Sequence, residues 1–301
     1  MMTTPNDLHG VIVPVVTTFD ESGAIDHGTF VEQIDWMLAQ DVEGLVVGGS
    51  TGEGYALDPD ELLLLTRSAV KASAGRIPVL ASIIADSTRS AVSRATMLRN
   101  LPLAALQIAP PHYIFSPSED GLVRFYRAVA EAAGIPLIIY NVIPWAKVTP
   151  RLALRIMQEV PQVIAVKQSD RDMDVFAELT RSIGPERVFG ALDGSLKSCY
   201  DFRIAGSIAA IASAISKENV RLWRAVRDGR TAEAFALQVG LSDFWAVLTG
   251  PNLPARVKAA QRLQGLKASW PRAPMEAASP ADVDALSRAL HGLQEICCQL
   301  P

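Results

Sequence analysis

The chain has 301 residues, 49% of them hydrophobic and 20% charged, with 20 glycines and 19 prolines. That composition excludes a disordered, collagen-like or disulfide-scaffold chain, and the length suits either two domains or one α/β barrel with additions. With 28 basic and 32 acidic residues the formal charge is -4, which excludes a nucleic-acid footprint, and no apolar run approaches the ~18 residues of a membrane span.

In chain order, short apolar runs alternate with amphipathic stretches. Strands are expected at 11–17, 44–47, 78–82, 104–109, 136–141, 163–167, 188–191 and 207–211. The runs are nearly continuous in hydrophobicity, as in parallel strands covered on both faces. Between them lie helix-start signals: Asp58-Pro59-Asp60-Glu61, Ser116-Pro117-Ser118-Glu119 and Thr149-Pro150 each pair a capping side chain with proline at the first helical position. Eight such units make a (β/α)8 TIM barrel. A doubly wound sheet is the competing α/β topology, but it needs a glycine fingerprint after its first strand, and Val16-Thr17-Thr18-Phe19-Asp20 is not one.

Beyond residue 230 the strand signal ends. Helices are expected at 232–248, 254–264 and 281–299, separated by Gly250-Pro251 and a proline-rich loop at 269–280. The expected organisation is a barrel over 1–230 and a C-terminal helical extension over 231–301. The polar opening, residues 1–10, lacks the basic-then-apolar order of a signal peptide. Cys199, Cys297 and Cys298 are odd in number and without metal-ligand spacing, so a cytoplasmic location is expected. His9, His27, His112 and His291 show no ligand spacing either, and no metal is expected.

Barrel enzymes carry their chemistry at the C-terminal ends of the strands. The second strand runs into Gly48-Gly49-Ser50-Thr51-Gly52-Glu53-Gly54, where backbone N–H groups can form an anion nest; the same pattern also makes a plain turn. No P-loop lysine follows, and no Gly-x-Ser-x-Gly elbow occurs at a strand–helix junction. The sixth strand ends at Lys167. Burial at an apolar strand end disfavours an ammonium and leaves a neutral amine able to attack a carbonyl; a lysine paired to a carboxylate or snorkelling from the rim is the structural alternative. The fifth strand ends Tyr140-Asn141, and a phenol beside that amine can shuttle protons, or can simply be a core tyrosine. Tyr113, after the fourth strand, is open to the same two interpretations.

Together these segments resemble the Schiff-base (β/α)8 family that includes dihydrodipicolinate synthase and N-acetylneuraminate lyase. The resemblance runs from the entry strand Gly10-Val11-Ile12-Val13-Pro14 through Gly49-Ser50-Thr51-Gly52-Glu53, Tyr140-Asn141-Val142 and Val166-Lys167 to Asn252-Leu253-Pro254-Ala255-Arg256-Val257-Lys258. It implies that Lys167 condenses with the keto group of pyruvate or another 2-oxo acid, and that Tyr140 relays protons. Ser50 would link Tyr140 to a second tyrosine, for which Tyr113 is the candidate. The resemblance further implies that Ser50 and Thr51 hold the 2-oxo acid's carboxylate, with Gly49, Asp193 and Ile208 as further substrate contacts. It implies no cofactor, because the protonated imine is itself the electron sink, and a homotetramer or homodimer.

The substrate side departs from the synthase. Its arginine after Tyr-Asn-Val has no counterpart in Tyr140-Asn141-Val142-Ile143-Pro144-Trp145-Ala146-Lys147; Lys147 offers a point charge without the bidentate fork. After the seventh strand, Gly206-Ser207-Ile208-Ala209-Ala210-Ile211-Ala212 lacks a glycine and a serine of the family pattern. Synthase, aldolase and 2-keto-3-deoxy sugar acid dehydratase therefore stay open, and so does a non-catalytic 2-oxo-acid binding protein.

Overall fold

The computed structural model describes residues 8–300. Eight parallel strands close in sequential order into one barrel: β1 (Gly10–Val15), β2 (Gly44–Val47), β3 (Val79–Ile83), β4 (Ala105–Ile108), β5 (Leu137–Asn141), β6 (Val163–Gln168), β7 (Val188–Gly190) and β8 (Gly206–Ser207). The helices that cover it are α1 (His27–Leu38), α2 (Pro59–Ser73), α3 (Thr88–Leu98), α4 (Glu119–Ala133), α5 (Pro150–Glu159), α6 (Met173–Ile183), α7 (Leu196–Tyr200), α8 (Ile211–Ala214) and α9 (Ser216–Arg227). Then come α10 (Thr231–Leu248), α11 (Leu253–Leu263) and α12 (Pro280–Gln299). The (β/α)8 barrel expected from the strand count is the fold.

Two apolar clusters follow from strand alternation. Ile12, Val46, Leu80, Ile138, Ala165 and Phe189 belong to the smaller cluster, which contains no helix residue and fills the barrel lumen. The larger cluster takes the alternate strand residues, such as Val11, Val13, Leu45 and Ile139, against the surrounding helices. Leu237, Leu241 and Phe244 of α10 and Leu286 of α12 pack into that same cluster. No helix among the described residues is long and apolar enough to cross a membrane.

Local departures from the sequence expectation have identifiable causes. β1 stops at Val15 because Gln33 of α1 takes over the Val16 peptide: its Oε1 accepts from Val16 N at 3.2 Å and its Nε2 donates to Val16 O at 3.0 Å. The eighth strand, expected over 207–211, ends at Ser207. Ala212 N bonds to Ala209 O, and Ile211 N donates to Asp193 Oδ1 at 2.8 Å, so those groups turn the chain instead of extending a ladder. α4 begins at Glu119 with Ser118 as its cap, not at Pro117; Ser116 donates to Trp145 O at 3.0 Å instead. The α2 start is as expected, with a reciprocal capping box between Asp58 and Glu61.

Candidate active site

The same alternation that puts Ile138 and Ala165 in the lumen puts Tyr140 and Lys167 there, two residues nearer the C-terminal rim. They are register partners on the neighbouring strands β5 and β6. Tyr140 is 2% exposed and Lys167 5%. Lys167 Nζ lies 4.1 Å from the Tyr140 ring centroid, and among the described residues it forms no ion pair. Among the described residues no carboxylate stands within ion-pair distance of it, although the Asp193 carboxyl lines the same cavity and senses its charge. Across the lumen, Tyr140 Oη donates to Ser50 Oγ at 3.0 Å.

These groups open into a cavity of about 1070 Å³ lined by Ser50, Thr51, Tyr140, Lys167, Asp193 and Ile208, among others. Gly49 lies below Ser50, where an added Cβ would stand 3.6 Å from Ser82 Oγ, and it does not line the cavity. Ile208 is fully buried and contributes apolar wall. The Asp193 carboxyl is pushed up by burial; the Ile211 amide and the nearby Lys167 charge oppose that shift. The C-terminal helices supply the facing wall through Trp245, Thr249, Leu253 and Pro254.

Tyr113 is not brought to this cluster. It is 78% exposed on the loop after β4, beside exposed Ile114 and Phe115, and it does not line the cavity. Its amide and that of His112 donate to Asp86 Oδ1 at 2.9 and 3.1 Å, which holds the loop outward. Lys147 lines the cavity with its Nζ 2.7 Å from Asp170 Oδ2. Among the described residues, no group of three or more His, Cys, Asp or Glu side chains could hold a metal ion.

Residues with no role in the sequence reading also shape the site. Asn141 clasps Val148 on both sides, accepting from its amide and donating to its carbonyl at 2.9 Å each, and donates to Gln168 Oε1 at 2.9 Å. That clasp closes the 142–147 loop, which supplies the cavity wall from Val142 to Pro144 and Lys147. Tyr55 lines the mouth beyond Glu53; the glycine-rich run next to it was the available signal. At the base of the Ser50 loop, Glu53 is buried against Lys258 of α11 with Nζ–Oε1 at 2.5 Å. Nothing in the local sequence pairs those two residues.

Compared with known proteins, residues 7–293 match the model of the Dihydrodipicolinate synthetase family. The chain is 31% identical over 296 residues to a 4-hydroxy-tetrahydrodipicolinate synthase of Acidiphilium cryptum, covering 95% of this chain and 98% of that one. It superposes with a TM-score of 0.90 at 23% identity on a dihydrodipicolinate synthase of Thermotoga maritima, over 96% and 99% of the two chains. It also superposes with a TM-score of 0.91 at 21% identity on a catalytic lysine mutant of a Ruminococcus gnavus sialic acid aldolase, over 100% of both. At those identities the two structures bear on the fold.

Proposed function

The chain belongs to the dihydrodipicolinate synthetase family of lyases, and from that premise we propose that it acts on pyruvate or a related 2-oxo acid through an imine on Lys167. The observation that carries this is the buried pairing of Lys167 with Tyr140 on adjacent strands, with Tyr140 hydrogen-bonded to Ser50 at 3.0 Å. Lys167 Nζ attacks the keto carbon and the carbonyl oxygen departs as water. Tyr140 delivers and recovers the protons of that exchange, with Ser50 relaying them. Ser50 and Thr51 hold the carboxylate. The resulting iminium accepts the electron pair released at the adjacent carbon, so an enamine forms there, and no metal or organic cofactor is called for.

A second substrate chemistry is favoured by the rest of the lining. Asp193, Ser169, Ser195 and Ser198 all face the cavity, a set suited to the hydroxyls of a 2-keto-3-deoxy sugar acid undergoing cleavage or dehydration. Lys147, which stands after the Tyr-Asn-Val segment where the synthase has its arginine, is engaged with Asp170, and Arg171 also lines the cavity. The three free cysteines suit a reducing compartment such as the cytoplasm. Tyr113 keeps a relay role only where a second copy of the chain supplies it, and the exposed apolar residues Ile114, Phe115 and Trp145 offer a face for such a homo-oligomer.

The experiment is reductive trapping. Incubation with pyruvate and borohydride, followed by peptide mass mapping, is expected to place the adduct on Lys167 and to leave Lys167→Ala untagged. An untagged Lys167 across a panel of 2-oxo acids overturns the imine mechanism. Turnover of 2-keto-3-deoxy sugar acids against aldehyde-plus-pyruvate mixtures then separates the lyase chemistries.

A further inference from the structure

Ser50 and Thr51 sit on a loop that is held from below by the C-terminal helices. Two residues past Thr51, Glu53 adopts a left-handed backbone (φ 53°) and is wholly buried. Its Oε1 accepts from Lys258 Nζ at 2.5 Å, and its Oε2 accepts from the Arg272 amide at 2.9 Å. Lys258 also donates to Trp270 O at 2.7 Å, and its Nζ lies 4.9 Å from the Phe19 ring centroid. The Arg272 guanidinium grips both oxygens of Glu61, at 2.6 and 2.7 Å, at the head of α2.

The loop has little room to settle differently. Thr17 donates its hydroxyl proton to Gly52 O at 2.6 Å. A Cβ on Gly52 would stand 2.6 Å from Val15 O, and one on Gly54 would collide with Gly48 O. Burial lowers the Lys258 ammonium to about 8, with Glu53 opposing the shift. A buried ion pair of this kind is a weak source of stability, because desolvation offsets much of its attraction and an apolar pair of similar volume holds a core as well. What it adds is direction. A carboxylate fixed by two donors orients the Glu53 peptide, whose amide donates to Ser50 O at 3.1 Å.

We infer that Lys258 is a positioning residue for the substrate carboxylate, acting through Glu53 to hold Ser50 and Thr51 in their binding geometry. The inference rests on the proposal that those two residues hold that carboxylate. Lys258 itself does not touch substrate; a residue of the C-terminal extension thus sets the affinity of a loop in the first quarter of the chain.

The test uses the full chain and two carbonyl probes: pyruvate, which carries a carboxylate, and acetaldehyde, which does not. Trapping on Lys167 is measured against probe concentration for the wild type, for Lys258→Met and for the double variant Glu53→Gln with Lys258→Met. The double variant leaves no uncompensated charge at the Glu53–Lys258 pair, so it carries the measurement where Lys258→Met fails to fold. The expected result is a half-saturating pyruvate concentration raised about tenfold, the worth of one charge-assisted hydrogen bond, with acetaldehyde shifted by less than about twofold. A variant in which both probes weaken together, or in which pyruvate is unaffected, overturns the positioning role. Failure of the wild type to trap either probe on Lys167 overturns the imine mechanism and the inference with it. Wild-type trapping of the two probes at equal half-saturating concentrations overturns the carboxylate anchor while leaving the imine.

Discussion

Tyr140 Oη and Ser50 Oγ stand 3.0 Å apart although 90 residues separate them in the chain. The contact joins the end of β5 to the loop after β2, and Lys167 Nζ lies 4.1 Å from the centroid of the same tyrosine ring. In the proposed imine chemistry, this hydroxyl pair is the group assigned to receive a proton from the amine or the carbonyl oxygen. Tyr140→Phe keeps the ring packed beside Lys167 and removes only the hydroxyl. The expected outcome is a fall in kcat of about 10²–10⁴ with little change in KM, the usual worth of a positioned proton-transfer group. Steady-state kinetics on the substrate found by trapping checks it; an unchanged kcat would sink the relay.

Asp193 carries a stability cost that comes from its burial. Burial pushes its carboxyl pKa up, so ionisation is harder in the folded chain than in the unfolded one. Above the raised pKa the folded state bears that penalty in full. As the pH falls through it and then below the ordinary carboxylate value, both states become protonated and the penalty disappears. Asp193→Asn keeps an acceptor for the Ile211 amide and removes the charge. It is expected to raise Tm at pH 7, to lose that advantage below about pH 3, and to lower turnover. Calorimetry at the two pH values checks the first two points; a variant less stable than wild type at pH 7 contradicts the assignment.

Asn141 closes the 142–147 loop through its paired hydrogen bonds to Val148 at 2.9 Å. Asn141→Ala leaves the Val148 peptide and Gln168 Oε1 without these partners. The expected cost is about 2–3 kcal/mol in urea unfolding, with faster proteolysis inside the loop. A loss below about 0.5 kcal/mol, the level of an ordinary surface change, would show that the clasp does not hold the loop.

Tyr113 separates a single-chain site from a shared one. Its exposure means that Tyr113→Phe leaves the stability of the chain unchanged to within about 0.5 kcal/mol. With a second copy bringing Tyr113 to Ser50, kcat falls by about 10²-fold, and the specific activity of the wild type declines on dilution as the oligomer separates. Sedimentation velocity alongside activity reads both. A wild-type rate constant through dissociation, with Tyr113→Phe fully active, removes Tyr113 from the relay.

Much of the fold was legible because the relevant signals are local. Continuous apolar runs mark buried parallel strands, and Asp58 with Glu61 and Thr149 with Pro150 mark helix starts within four residues of sequence. Where a distant side chain intervened, the local signal misled. Gln33 ended β1 early, and Asp193 drew Ile211 out of the eighth strand.

Length and composition are compatible with two domains or one barrel, and the count of eight apolar runs favours the barrel. The sequence by itself also determined that Tyr140 and Lys167 each stand at a strand end, since strand alternation needs only the positions before them. Tertiary structure decided which strand ends meet. Barrel closure set the register of Tyr140 against Lys167 and carried Ser50 to the tyrosine. It turned Tyr113 outward and brought Lys258 to Glu53 across 205 residues. Side-chain periodicity is a property of a few consecutive residues, whereas such contacts depend on how the whole sheet curves back upon itself.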